Sequence, residues 1–281
     1  MRATICSEAV SLFELAKSVG IEYFATADYA AAAPHLVKPH TFDFTPQSVL
    51  FAAFPYYIKD EAGNIARYAR SRDYHRLVTE RLTAFCEALG GAYEVFSDIS
   101  PFDEVSAAAA CGLGSIGKNR LLIVDGKGSF FVIGECVTET YLTPMPRSDC
   151  SFCSACGRCE KACPTAALQG GICQKELCLS DLTQRRGALT DAETQAVAKS
   201  ALVWGCDECL AACPLAKDAP PPDAAFAKDR ITTLTPEELL PLSDRAFRQK
   251  YQDRAFTWKG VAPLKRNTEE QEKWKSNAPK N

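Results

Sequence analysis

The spacing of the cysteines is the tightest constraint on this chain. Positions 153–164 read Cys153-x2-Cys156-x2-Cys159-x3-Cys163-Pro164, and Cys206-x2-Cys209-x3-Cys213-Pro214 repeats the ending. Thiolates at two-residue intervals hold corners of one 4Fe-4S cluster, while the cysteine three residues further on, followed by proline, ligates a neighbouring cluster. The reciprocal scheme therefore gives Cys153, Cys156, Cys159 and Cys213 to one cluster, and Cys163, Cys206 and Cys209 to a second. The second set lacks a ligand, for which Cys178 is the preferred candidate and Cys173 the reserve. Zinc ribbons would account for paired Cys-x2-Cys but not for the x3-Cys-Pro endings. Cys150 extends the first run one step too far and reads as a spare thiol. Cys6, Cys86, Cys111 and Cys136 lie in helix or strand patterns and read as small core residues.

The rest of the chain has ordinary globular composition: 281 residues, 47% hydrophobic and 24% charged. That is enough for one large domain or two modest ones, and it excludes wholesale disorder. The N-terminus lacks the apolar core of a signal peptide, and no run of about 18 uncharged apolar residues occurs anywhere. A cytoplasmic protein without a membrane span is expected, and in that compartment clustered cysteines bind metal rather than pair as disulfides. The formal charge of −3 gives no global attraction for nucleic acid, although residues from 217 onward carry 13 Lys+Arg against 10 Asp+Glu.

Hydropathy patterning predicts a helix capped by Ser7 with Val10, Phe13, Leu15 and Val19 on one face. Strands follow at 21–27 and 49–54, and a long helix at 72–89 ends at Gly90-Gly91. A short strand at 93–96 leads to Asp98, after which Ser100, Pro101 and Asp103 have the N-cap, N1 and N3 pattern of a helix start. Segments 121–124 and 130–133 read as a hairpin. Beyond Pro144-Met-Pro146, cysteine-rich segments replace periodic structure. Thr235-Pro-Glu-Glu238 begins a capped helix, 243–251 is helical, and residues after about 267 are polar enough to be disordered.

Gly112-Leu-Gly114-Ser-Ile-Gly117-Lys118 satisfies both GxGxxG and GxxxxGK, but each of those motifs must follow a strand and open a helix. Here the run follows an Ala-rich helix, and Asn119 stands where a P-loop needs Ser or Thr. The glycines can still bring backbone N–H groups close to another kind of ligand. Arg67, Arg70, Arg72, Arg76 and Arg81, with His75, form a local basic stretch, either a solvated face or a surface for phosphates.

Several segments together resemble the epoxyqueuosine reductases, cobalamin-dependent iron-sulfur enzymes of tRNA modification. They are Tyr68-Ala-Arg-Ser-Arg-Asp-Tyr74-His75, Asp98-Ile-Ser-Pro101 with Glu104, Gly112 to Asn119, Gly128-Ser-Phe-Phe131 with Gly134-Glu135, and the cysteine module with Cys178-Leu-Ser-Asp-Leu-Thr183. The resemblance implies reduction of the epoxide of epoxyqueuosine in tRNA to the alkene of queuosine. It also implies cobalamin held without a protein ligand on cobalt, two 4Fe-4S clusters feeding it electrons, and Asp98 as proton donor.

Tyr74, His75, Gly112, Gly114, Gly117, Lys118 and Asn119 are the residues it would place against the cofactor. An external flavodoxin or ferredoxin would supply electrons. The fold expected is α+β, with an α/β cobalamin- and substrate-binding domain over 1–146. A ferredoxin-like double-cluster domain would follow over 147–216, then a helical segment with a disordered end over 217–281. Ser115 and Leu215-Ala216 depart from the family, which usually has Trp and Trp-Asn there. They keep open a paralogue acting on a different small electrophile, and a ferredoxin-type electron carrier is the non-catalytic alternative.

Overall fold

The computed structural model describes residues 11–59, 61–146 and 151–277. The chain is a mixture of helices and strands that separates into two compact units interleaved along the sequence. The first comprises 1–54, 76–113 and 133–147; the second comprises 55–75, 114–132 and 148–281.

The first unit is built on a four-stranded sheet: β1 (Tyr23–Asp28), β2 (Ser48–Pro55), β3 (Tyr93–Phe96) and, completing it later in the chain, β6 (Phe131–Thr138), in the order β1-β2-β6-β3. β1 pairs antiparallel with β2, and β3 with β6. Every residue of β2 is buried, which explains its continuous apolar sequence, since a central strand covered on both faces cannot alternate. Helix Tyr74–Leu89 turns Val78, Leu82, Phe85 and Cys86 inward. A Cβ at Gly134 of β6 would lie 2.2 Å from Val78 Cγ1, so only glycine lets the helix approach this strand so closely.

The first described helix, Leu12–Ser18, is capped by Ser11, which forms a capping box with Glu14. Ser7 and Val10, expected to begin it, lie outside the described residues, as do Cys6 and Cys150. The helix expected to start at Ser100 starts instead at Glu104, with Asp103 as N-cap accepting the Ser106 N–H at 3.3 Å. The 121–124/130–133 hairpin does not form: β5 (Leu122–Val124) pairs antiparallel with β4 (Gly114–Ile116), inside the glycine-rich run. A Cβ on Gly114 would sit 2.1 Å from the Ile123 carbonyl oxygen, so the glycine serves strand contact there.

In the second unit short elements surround the cysteines, and a helical core stands behind them. Leu179, Leu182, Val197 and Leu202 form one buried cluster. The largest difference from expectation is at the C-terminus, where residues 262–277 form a helix rather than a disordered tail. Its polar residues misled the reading because several are buried as hydrogen-bonding groups. Asn267 Nδ2 donates to the Thr183 and Val203 carbonyls at 2.7 and 2.9 Å, and Gln271 Nε2 to the Leu202 carbonyl at 2.9 Å.

Asn267→Ala should therefore leave two buried carbonyls unsatisfied and lower stability by about 1–3 kcal/mol. Exposed Lys275→Ala should stay within about 0.5 kcal/mol, both read by denaturant unfolding.

Candidate functional site

The cysteines of the second unit sort into two cavities. The smaller, about 120 Å³, is lined by Cys153, Cys156, Cys159 and Cys213, with Phe152 and Leu215 in its wall. The larger, about 650 Å³, has Cys163, Cys173, Cys178, Cys206 and Cys209 in its wall. Local structure aims them. Gly157, in the left-handed conformation at φ +73°, turns the chain into helix Arg158–Ala162, which carries Cys159 and ends at Cys163. Cys178 opens helix Leu179–Gln184, and helix Glu208–Ala211 carries Cys209. Among the described residues no three His, Cys, Asp or Glu side chains close tightly enough on one point for a lone metal ion. The sulfurs stand around cavities instead, the arrangement that a cluster of several irons needs.

Burial pushes the Cys206 thiol up to about 12, and Cys209 is raised further, chiefly by burial and then by Cys206, Cys178 and Cys163. Such thiols become thiolates only when metal displaces the proton. Both Cys206 and Cys209 feel the charge of Cys178. Cys173 is raised by burial and then by Cys178 and Cys163, and it lines the same cavity as they do.

The glycine-rich run reaches both cavities. Gly117 and Lys118 line the smaller one and Asn119 lines both. The Lys118 N–H donates to Cys153 Sγ at 3.4 Å, and its ammonium pairs with Glu160 at 2.7 Å. An amide pointed at a ligating sulfur stabilises negative charge there and tunes a cluster's potential. Ser115 accepts the Phe152 N–H at 3.0 Å and so pins the start of the first cysteine run. Gly112 belongs to the first unit and closes helix Glu104–Ala110 at φ +94°.

The larger cavity continues past the cysteines to Tyr56, Tyr68, Leu121, Ser129, Phe131 and Asp207. These residues escaped the sequence reading, although Tyr68, Ser129 and Phe131 lie inside the segments that carried the resemblance. Ser129 Oγ is buried without a hydrogen-bond partner, as a donor awaiting a ligand would be. Tyr74 and His75 line neither cavity: their rings stack on one another at 4.1 Å, and His75 Nδ1 meets Asp73 Oδ1 at 2.6 Å.

The basic stretch has intramolecular partners. Arg67 Nη1 pairs with buried Asp207 at 2.9 Å, and its guanidinium lies 5.7 Å from the Tyr57 ring centroid. Arg70 is buried against Glu61 and the Ile65 carbonyl. Arg72 pairs with Asp229 at 3.1 Å, Arg76 lies 3.8 Å from Glu80, and Arg81 donates to the Gly20 carbonyl. Arg67 and Arg70 brace the fold from within, while Arg72 and Arg76 lie exposed at the surface.

Asp98 belongs to the first unit, in the exposed loop after β3. Its backbone is left-handed at φ +60°, and its N–H donates to Glu104 Oε1 at 2.9 Å.

Residues 152–216 match the family described as "4Fe-4S double cluster binding domain", and residues 37–100 the family "Epoxyqueuosine reductase QueG, DUF1730". The epoxyqueuosine reductase of Listeria monocytogenes is 32% identical over 255 residues, 82% of this chain and 65% of that protein. The chain is related to the epoxyqueuosine reductases. The Bacillus subtilis epoxyqueuosine reductase is 27% identical over 91% of this chain and 76% of its own length. Among solved structures, the Streptococcus thermophilus epoxyqueuosine reductase superposes with TM-score 0.77 at 22% identity, covering 92% of this chain and 79% of that one. Another epoxyqueuosine reductase, solved with an epoxyqueuosine-modified tRNA stem loop, superposes at 0.74, with 22% identity over 92% of this chain and 79% of its own. These likenesses establish a shared fold. The chain spans 65% and 60% of the lengths of the Listeria and Lactococcus garvieae epoxyqueuosine reductases.

Proposed function

We propose that this chain is an iron-sulfur reductase that converts epoxyqueuosine in tRNA to queuosine, in the cytoplasm, with electrons from an external flavodoxin or ferredoxin. The observation that carries the reading is the sorting of cysteines into two cavities, within a chain that matches an epoxyqueuosine reductase over 82% of its length. Two clusters would be held by Cys153, Cys156, Cys159 and Cys213, and by Cys163, Cys206 and Cys209 as the spacing implies, with Cys178 the preferred fourth ligand of the second. Clusters so close can pass single electrons inward from a donor.

Cobalamin would belong to the substrate-binding part, 1–146, with the cluster part at 147–216 and the helical segment after it. Tyr68, Asn119, Leu121, Ser129 and Phe131 present an apolar wall with a partnerless hydroxyl, which fits the edge of a macrocycle bearing amide groups. When bound, cobalamin would supply a strongly reducing, nucleophilic metal centre for attack on the epoxide. Lys118 and Asn119 would shape the passage between cofactor and clusters, while Tyr74 and His75 would act by packing behind Tyr68, whose ring centroid lies 6.0 Å from that of Tyr74.

Asp98 would donate a proton to the departing epoxide oxygen. Reduction of an epoxide to an alkene consumes two electrons and two protons and releases the oxygen as water, so an acid at the leaving oxygen is required. Asp98 does not cap the neighbouring helix, because Asp103 does, and its exposed position leaves it open to a substrate.

Cys178→Ala should strip one cluster from anaerobically reconstituted protein, whereas Cys173→Ala should keep both; the reverse would exchange their roles. Expressed in a reductase-deficient host, the chain should restore queuosine to tRNA, and Asp98→Asn should reduce the rate by about 10²-fold or more with cluster content unchanged. Absence of queuosine with a fully loaded wild-type protein would favour the small-electrophile paralogue.

A further inference from the structure

The first unit contains a buried acid that neither the fold nor the proposed reaction has yet used. Glu135 lies in β6 and is 0% exposed. Its Oε1 accepts the hydroxyl of Ser100, which in turn accepts the Phe102 N–H at 3.0 Å. Its Oε2 is buried with no N–H or O–H group facing it. The groups acting on it are the carboxyl of Glu104 from the helix, the Ser100 hydroxyl and the carboxyl of Asp98 from the loop, and its neighbour along the strand is the Cys136 thiol, which burial and Cys86 hold protonated. A carboxylate abandoned among other carboxylates inside a protein is far costlier than a neutral acid, so the group keeps its proton.

Burial first, then Glu104, pushes Glu135 well above the usual carboxylate range. Two carboxyl groups within reach of one another can share a hydrogen bond only if one carries the proton, and burial assigns it to Glu135, which is wholly enclosed, rather than to Glu104, which is half-buried. At the other end of the chain of bonds, Glu104 Oε1 accepts the Asp98 N–H at 2.9 Å. Asp98 sits at φ +60°, in the left-handed region that residues with side chains seldom adopt, although aspartate does so more readily than most.

We propose that Glu135 is a positioning residue for Asp98: as an uncharged acid it donates to Glu104, and the Glu104 carboxylate so fixed holds the Asp98 backbone in its left-handed turn. The brace rests on the reading of Asp98 as proton donor only for its purpose; its own claim concerns one proton and two hydrogen bonds, and needs no substrate. If Glu135 ionised, it would repel Glu104, and the acceptor for the Asp98 N–H would swing away. A buried acid of this kind works like the neutral carboxylic acids that some active sites keep protonated at pH 7.

The sign of the pH effect follows. Glu135 carries a proton in the folded chain that an unfolded chain would release above the usual carboxylate range. Its contribution to stability is therefore complete at low pH and is lost as pH rises towards the raised folded value. Glu135→Gln has no proton to lose, so it should gain in stability relative to wild type as pH rises over that interval.

Two readouts on the whole protein test the proposal. Difference infrared spectra at pH 7, wild type against Glu135→Gln, should show a carboxylic-acid C=O band in wild type that the variant lacks. Hydrogen exchange at the Asp98 amide should be about tenfold faster or more in Glu104→Ala and in Glu135→Ala. Glu135→Gln should restore protection, because its amide still donates to Glu104. Absence of the acid band in wild type, or unchanged Asp98 exchange in Glu104→Ala, would overturn the proposal. Should the Glu135 variants fail to fold, the wild-type infrared titration and Glu104→Ala still decide it. Neither readout depends on turnover, so failure to make queuosine would count against the proposed function alone.

Discussion

Sulfur facing inward onto two cavities is the constraint from which the second unit takes its form. A thiol that burial drives up to about 12, as at Cys206, gains little from the protein alone; it is a good ligand only once metal takes the place of its proton. The segments that carry these thiols have few regular elements, among them five- and four-residue helices and two-residue strands. Their order has to come from cross-links, and iron-sulfur bonds supply them. The helices behind, including Ala262–Asn277 with its buried Asn267 and Gln271, give those short segments a rigid backing.

The first unit works by a different economy. A sheet buried on both faces of β2 and a helix seated against Gly134 give a firm support, and at one end of it the chain makes a strained exposed turn at Asp98. Strain in a surface loop persists only when neighbouring groups determine it. Here those neighbours are acids, Glu104 and the wholly buried Glu135, so the geometry of the loop becomes linked to a single proton.

Features set by close neighbours in sequence were legible before the fold was known. The cysteine sets follow from two- and three-residue spacings, and both cavities collect the residues that the spacing grouped. The extent of helix Tyr74–Leu89, closed by Gly90-Gly91, was equally plain from its period. What escaped depended on distant partners. Ser100 has the composition of a cap, but its hydroxyl is claimed by Glu135, 35 residues away, so Asp103 caps instead. The polar 262–277 segment reads as solvated until Thr183, Leu202 and Val203 offer it carbonyls. Arg67 and Arg70 read as part of a basic stretch, and Asp207 and Glu61 turn them into braces of the fold, while Arg72 and Arg76 stay exposed. Tyr56, Ser129 and Asp207 come together at the larger cavity from three separate stretches of chain, with no common motif to announce them.

The central claim is that eight cysteines hold two neighbouring clusters with exchanged fourth ligands. Electron paramagnetic resonance of anaerobically reconstituted, fully reduced protein tests it most directly, read together with iron content. About eight irons per chain and a spectrum broadened by spin coupling between two 4Fe-4S clusters are the expected result. About four irons with the spectrum of a single isolated cluster, or bound zinc in place of iron, would contradict it.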